Sequence, residues 1–147
     1  MYVGHILIVG EDTFFVSNAE LIEPLASLFR VDSCAVCDQY EDMPNVIEKL
    51  VTQRTFFPRK LKYVIGVRSD GSSGSSLVEM AVVFPEHLYH DQMRRLFDRV
   101  VYAGFVHFTN TGPVTSGESI GLNRRPGPTD EHVLKRCLGD KYWRGKF

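Results

Sequence analysis

The chain has 147 residues, of which 44% are hydrophobic and 12% aromatic, and its formal net charge is −1. The length and the apolar content favour one domain with one sizeable core. A net charge this small argues against a nucleic-acid partner. No apolar run reaches the roughly 18 residues of a membrane span, so we expect no membrane partner.

Charge is unevenly distributed along the chain. Residues 1–58 carry nine acidic and three basic side chains, whereas residues 59–147 carry nine acidic and fourteen basic ones. The basic half predicts an anionic small molecule or a phosphorylated group as partner. The chain starts without the layout of a secretory signal, and its three cysteines are an odd number, so we expect free thiols in the cytoplasm.

The first half of the sequence alternates apolar runs that fit strands with segments of helical spacing. A capping-box spacing from Ser17 to Glu20 marks the start of one helix, and Pro44 suits the first turn of another. In chain order we predict a strand over 3–9 with a hairpin extension over 13–16, a helix over about 18–29, a strand over 30–36 and a helix that opens at Met43-Pro44.

The second half predicts a hairpin, a long helix, two strands and a last helix. Residues 61–68 alternate in polarity and are joined to 77–84 by a Gly/Ser-rich segment, which favours an antiparallel hairpin. Residues 86–101 have the clearest helical pattern, with an apolar face made by Tyr89, Met93, Leu96, Phe97 and Val100. We expect strands over 103–109 and near Val114, and a helix over about 130–138.

Together these elements predict the fold class. Hairpins and turns join the later strands, so a doubly wound sheet is disfavoured. We expect one α+β domain that spans residues 1–147, with a mixed or mainly antiparallel sheet packed by about four helices.

The segment 116–130 is the strongest candidate for a ligand-binding loop. Its glycines allow close approach of backbone amides, its arginines supply fixed positive charge, and a helix start follows. Lys62 and Arg68 lie on one face of the alternating strand and are placed to join it, and Trp143 or Phe108 would supply an apolar contact. The expected loop ligands are Gly117, Ser119, Gly121, Arg124 and Arg125.

Two further motifs have competing interpretations. His87, His90 and Asp91 have a spacing that suits a metal site or a general base, but the same spacing is common on a solvated helix face. Cys34 and Cys37 have the spacing of redox and zinc motifs, yet the chain offers no second ligand pair, so we interpret them as ordinary cysteines. We expect no metal and no cofactor.

About residues 61–140 resemble the janus and phosphohistidine phosphatase family in the order of three motifs. Leu61-Lys62-Tyr63-Val64-Ile65 is similar to the family's opening strand, a Glu/His segment follows, and Gly117-Glu118-Ser119-Ile120-Gly121 is similar to its Gly-x-Ser segment. The resemblance implies that Lys62 and Ser119 contact phosphate and that His90 or His87 is catalytic.

Three functions remain open from the sequence. The first is the binding of a phosphate-bearing or nucleotide-like ligand, which needs no catalysis. The second is a phosphatase-like enzyme in which His90 or His87 activates water or accepts a proton. The third is an interaction module, including a homo-oligomer, that uses its acidic N-terminal half and its aromatic, basic C-terminal segment.

Overall fold

The structure is a computed structural model that describes residues 5–9, 12–29, 35–37, 60–69, 77–109, 112–135 and 137. Seven strands in these parts form one sheet in the order β3-β1-β2-β5-β4-β6-β7, and every pairing between neighbours is antiparallel. The strands are β1 (His5–Val9), β2 (Asp12–Val16), β3 (Ala35–Cys37), β4 (Leu61–Ser69), β5 (Leu77–Phe84), β6 (Arg99–Thr109) and β7 (Gly112–Ser116). The predicted β4–β5 hairpin pairs Lys62 with Phe84 and Ser69 with Leu77.

The prediction of a sheet packed by about four helices is wrong, because the described residues contain only three short helical segments. The first is a turn of 3-10 helix, Ala19–Leu21, that continues as α1 (Ile22–Leu28); the second is a 3-10 helix, His90–Leu96; the third is α2 (Asp130–Leu134). The helix expected to open at Met43-Pro44 lies outside the described residues. The molecule is therefore mainly an antiparallel sheet.

The largest departure from expectation is at 86–101, which does not form one long helix. Residues 86–89 are turn and extended chain, the 3-10 helix ends at Leu96, and β6 begins at Arg99. In β6, Val100 pairs with Gly66 and Tyr102 with Ile65 of β4. Branched and aromatic residues favour strands, and pairing with β4 outweighs the weaker helical preference of this segment.

The start of the first helix also differs from expectation. The capping box expected from Ser17 to Glu20 does not form, since Asn18 is the residue before the helix and has no side-chain cap. Ser17 instead bridges two elements: its Oγ donates to Asn18 Oδ1 and accepts a hydrogen bond from the amide of Ala81. The helix forms without the cap because Leu21 and Leu25 bury its apolar side.

Both faces of the sheet are covered. On one face α1, the 3-10 helix and the loop after β7 contribute to an apolar core that includes Leu25, Val64, Met93 and Leu122. Short α2 packs against β5 and β7. Tyr63, next to Val64 in β4, is fully buried and bonded to Asp130 of α2. Neighbouring residues of a strand point to opposite faces, so α2 lies across the sheet from the 3-10 helix.

One row of residues across the sheet determines where the chain's connections meet. Lys62 pairs with Phe84 on one side and with Phe105 on the other, and Phe105 pairs with Ser116. Phe84 is the last residue of β5 and Ser116 is the last residue of β7. The segment that leads to the 3-10 helix and the loop after β7 therefore leave the sheet at the same row, beside Lys62.

Within the residues that the structure describes, no helix combines the length and the apolar character needed to cross a membrane.

Candidate functional site

A pocket of about 480 Å³ opens where these two connections meet. Its walls come from the start of β4, the 3-10 helix, β6 and the loop after β7. The lining residues are Lys62, Tyr89, His90, Asp91, Phe105, Glu118, Ser119, Ile120 and Gly121. We call this the Lys62 pocket. It brings together five of the residues that the sequence singled out, from segments up to 59 positions apart: Lys62, His90, Asp91, Ser119 and Gly121.

Lys62 holds its ammonium group in a fixed position at the pocket. Nζ donates a hydrogen bond to the carbonyl of Leu88 at 2.7 Å and lies 5.4 Å from the ring centre of Tyr89 and 5.9 Å from that of Phe105. Both rings are within the range of a cation–π interaction. An ammonium group has three donors, so two remain for a ligand after the bond to Leu88.

His90 is the buried titratable group of the pocket, with only 7% of its surface exposed. Its ring lies edge-on to those of Phe84 and Phe105, and Nε2 is 2.7 Å from the carbonyl of Gly104. A carbonyl oxygen only accepts, so Nε2 carries the proton and Nδ1 of the neutral ring is unprotonated. Burial lowers the pKa of His90, and nearby Lys62 acts in the same direction, which favours the neutral form.

The loop after β7 presents Ser119 through a tight turn. Ser119 and Arg124 exchange two backbone hydrogen bonds, of 2.7 and 3.1 Å, which close the loop like a small hairpin. Ser119 is 3% exposed, and its Oγ accepts the amide of Leu122 at 3.3 Å, so its own hydroxyl proton is available to a ligand. Among the described residues, the amides of Ile120 and Gly121 have no hydrogen-bond acceptor.

The remaining lining residues give the pocket an acidic and apolar rim. Asp91 and Glu118 supply two carboxyl groups against the one ammonium group of Lys62. Tyr89 and Ile120 are exposed large hydrophobic residues, with 68% and 89% of their surface accessible. The pocket is thus less cationic than the sequence predicted.

The predicted arginines are not in the Lys62 pocket. Arg68 shares a strand face with Lys62 but lies six residues along β4, roughly 20 Å away at the rise of an extended chain, and its Nη1 donates to the carbonyl of Leu96. Arg124 points away from the pocket, since its Nε and Nη1 donate to the carbonyls of Val100 and Asn123. Arg125 is exposed, and among the described residues only its carbonyl is engaged, by the amide of Ala103.

Other predicted site residues also lie apart from the pocket. His87 is exposed and pairs with Asp12 of β2, with Nε2 3.0 Å from Oδ1. Of the two histidines considered as catalytic, only His90 therefore lines the pocket. Gly117 does not line it either; its φ of +71° lets the chain turn out of β7 over the ring of Phe105. Trp143 and the side chain of Phe108 lie outside what the structure describes.

No protein-family model, curated protein or solved structure matches this chain. The described residues also contain no group of three or more His, Cys, Asp or Glu side chains that could hold a metal ion. Of the sequence motifs, Cys34 and the side chain of Cys37 lie outside the described residues, whereas the buried thiol of Cys137 lies 3.7 Å from the carbonyl oxygen of Ala81. Any function must therefore be argued from the geometry.

The sequence assigned no binding or catalytic role to four of the lining residues: Tyr89, Phe105, Glu118 and Ile120. Glu118 and Ile120 flank Ser119 in the loop, so their position next to Ser119 was a signal that could have found them. Phe105 enters through its pairing with Lys62, 43 positions away in sequence. Nothing local to Phe105 could have indicated that contact.

Proposed function

We propose that the Lys62 pocket binds the phosphoryl group of a phosphate-bearing ligand. The observation that carries the proposal is that Lys62, Ser119 and His90, from three separate segments, line the same pocket. The free N–H donors of Lys62 and the hydroxyl of Ser119 supply hydrogen bonds to oxyanions, and bonds between charged groups are the stronger kind. The unengaged amides of Ile120 and Gly121 add neutral donors at the same wall.

The two acidic residues at the rim of the pocket favour a ligand with one phosphoryl group over a ligand with several. Asp91 and Glu118 would repel the several negative charges of a nucleoside triphosphate, because like charges at a shared site are unfavourable. A single phosphoryl group on an organic carrier suits the one lysine better. The exposed side chains of Tyr89 and Ile120 would contact the apolar part of that carrier.

The binding proposal is tested by titrating the protein with inorganic phosphate and with phenyl phosphate in a calorimeter. We expect Lys62→Gln to raise the Kd for phenyl phosphate about tenfold or more, because the variant loses a charge-assisted hydrogen bond. Lys135→Gln is the matched control, since it removes the same charge from the exposed end of α2 and should leave the Kd unchanged. Equal Kd values for the two variants would contradict the proposal.

Hydrolysis of the bound phosphoryl group is a second candidate function, favoured by the state of His90. In this mechanism Nδ1 accepts a proton from water as the water oxygen bonds to phosphorus. The bond from phosphorus to the leaving oxygen or nitrogen breaks, while Lys62 and Ser119 hold the other phosphoryl oxygens. Fixing Nε2 as the donor to Gly104 leaves Nδ1 as the acceptor that this step requires.

The hydrolysis candidate predicts a characteristic pH dependence with p-nitrophenyl phosphate. Burial lowers the pKa of His90. The acid limb of the pH profile of kcat/KM should therefore have its midpoint at a pH below the ordinary histidine pKa of about 6.5. His90→Asn should reduce kcat at least about 100-fold, while phosphate still binds, and His87→Asn should leave both unchanged. Hydrolysis that survives His90→Asn would exclude this role and leave the binding proposal intact.

The compartment is also a proposal. We infer a cytoplasmic location, because the chain has an odd number of cysteines and the described one, Cys137, is a buried thiol. Imaging of the tagged full chain in its source cells tests this, and a secreted or organellar signal would overturn it.

A further inference from the structure

A second pocket, of about 200 Å³, lies on the other side of the loop that carries Ser119. Its lining residues are Arg94, Phe97, Asp98, Arg99, Val100, Leu122 and Arg124, and none of them lines the Lys62 pocket. We call it the arginine pocket. Three of its lining residues are arginines, and one, Asp98, is acidic.

Within the part of the chain that the structure describes, the arginines of this pocket, Arg94, Arg99 and Arg124, are not paired with carboxyl groups. The chain as a whole carries a net charge of −1, so this concentration of positive charge is local rather than general. Phe97, Val100 and Leu122 are each less than 10% exposed and form an apolar floor. An apolar floor weakens solvent screening and strengthens the attraction of an anion to the three arginines.

Arg124 is held in place before any ligand arrives. Its Nε donates to the carbonyl of Val100 at 3.3 Å and its Nη1 to the carbonyl of Asn123 at 3.0 Å. Asn123 has a φ of +54°, the only positive value at a non-glycine position among the described residues. The guanidinium group has five donors, so three remain for a ligand. Holding the group in advance lowers the entropy cost of binding.

We propose that the arginine pocket is a second, independent site that binds a compact oxyanion, a phosphate or sulfate group carrying two negative charges. Planar guanidinium groups recognise such oxyanions through paired hydrogen bonds. The small volume suits a single tetrahedral group. The 3-10 helix provides His90 to one pocket and Arg94 to the other, and the loop likewise provides Ser119 and Arg124, so the two pockets share two segments of the chain but no lining residue.

The test separates the two pockets by working in the Lys62→Gln background, in which anion binding at the Lys62 pocket is weakened. Inorganic sulfate, against chloride at equal ionic strength, is titrated while the guanidinium NMR signals are followed. We expect saturable shifts at Arg94, Arg99 and Arg124, and a roughly tenfold weaker Kd in Arg99→Gln, the value of about one charged hydrogen bond. Arg94→Gln provides a second variant. Among the described residues, the side chains of Arg94 and Arg99 make no hydrogen bond or ion pair, so we expect both variants to fold.

The matched control is Arg95→Gln, the neighbour of Arg94 on the same 3-10 helix, which lines neither pocket. Its sulfate Kd should equal that of the background protein. An equal loss of affinity in Arg95→Gln and Arg99→Gln would show general charge attraction and overturn the proposal, as would a linear, unsaturable titration. Either result leaves the Lys62 pocket untouched, because that pocket is assayed separately with phenyl phosphate.

Discussion

Gly117 decides how the loop leaves β7. Its φ of +71° is in the left-handed region that side chains disfavour, and a Cβ there would lie 2.6 Å from the ring of Phe105. Gly121, in the same loop, has neither constraint, since a Cβ at that position would meet nothing nearer than 3.9 Å. The two glycines of the Gly-x-Ser-x-Gly segment therefore have different roles: Gly117 shapes the chain, and Gly121 lines the pocket.

We expect Gly117→Ala to lower the free energy of unfolding by about 1–3 kcal/mol, the cost of a strained φ together with a displaced Phe105 ring. Gly121→Ala is the matched control and should change stability by less than about 0.5 kcal/mol. Urea denaturation of the two variants measures the difference. Equal stabilities would mean that Gly117 does not hold the conformation described.

At the scale of elements, the 3-10 helix explains why His90 is buried. A 3-10 helix has three residues per turn, so His90, Met93 and Leu96 lie on one side, and all three are buried. The helical period of 3.6 predicted instead that Tyr89 faces the core and His90 lies near solvent. Tyr89 is 68% exposed, so the expected positions of these two neighbours are reversed.

Substitutions along this element distinguish the two periods. Leu96→Ala should cost about 2–5 kcal/mol, since it empties a fully packed position, whereas Tyr89→Ala should cost less than about 1 kcal/mol, the scale of one exposed cation–π contact with Lys62. Thermal or urea unfolding gives both values. Similar large losses for both residues would favour an α-helix across 86–101.

At the scale of the whole molecule, Tyr63 and Asp130 tie α2 to the sheet. The hydroxyl of Tyr63 donates to Asp130 Oδ2 at 2.5 Å, and the amide of Gly127 donates to the same oxygen at 2.8 Å. Asp130 Oδ1 is buried without a hydrogen-bond partner among the described residues. Burial raises the pKa of Asp130. The pKa of Tyr63 is also raised, mainly by burial and secondly by its hydrogen bond to Asp130. The link joins residues 67 positions apart.

The raised pKa of Asp130 makes stability depend on pH in a definite direction. The folded carboxyl group binds a proton more tightly than the unfolded one, so its contribution to stability is fully present below the unfolded value of 3.8 and is lost as pH rises through the folded pKa. Asp130→Asn should remove this component. In urea unfolding between about pH 4 and 7, the variant should lose less stability with rising pH than the parent protein does.

The control for this prediction is Glu86→Gln, which alters an exposed carboxyl group that does not act on Asp130 and should retain the parent's slope. Parallel stability curves for Asp130→Asn and the parent protein would contradict the raised pKa. The comparison uses slopes because the amide of asparagine would place new donors beside the unpartnered Oδ1 position. Absolute stabilities would mix that effect with the titration.

Local features of the protein follow from its amino-acid sequence without knowledge of the fold. Alternation in 61–68 and the Gly/Ser segment after it predicted the β4–β5 hairpin, and apolar spacing predicted α1, because both patterns depend on neighbours in the chain. Apolar spacing also predicted one helix over 86–101, and this prediction is wrong because pairing with β4 competes with helix formation there. The buried residues His90, Met93 and Leu96 have the spacing of a 3-10 helix, with three residues per turn. The sequence was interpreted with the α-helical period of 3.6 because α-helices are commoner.

Which side chains share a pocket depends on how distant parts of the chain pack together. The sequence singled out Lys62, His90 and Ser119 for separate reasons, and the row that joins Phe84, Lys62, Phe105 and Ser116 puts their segments side by side. The rise of an extended strand separates Arg68 from Lys62 along β4, and the turn at Asn123 directs Arg124 to the other pocket. Register and turn geometry depend on contacts between distant parts of the chain, and no local pattern records them.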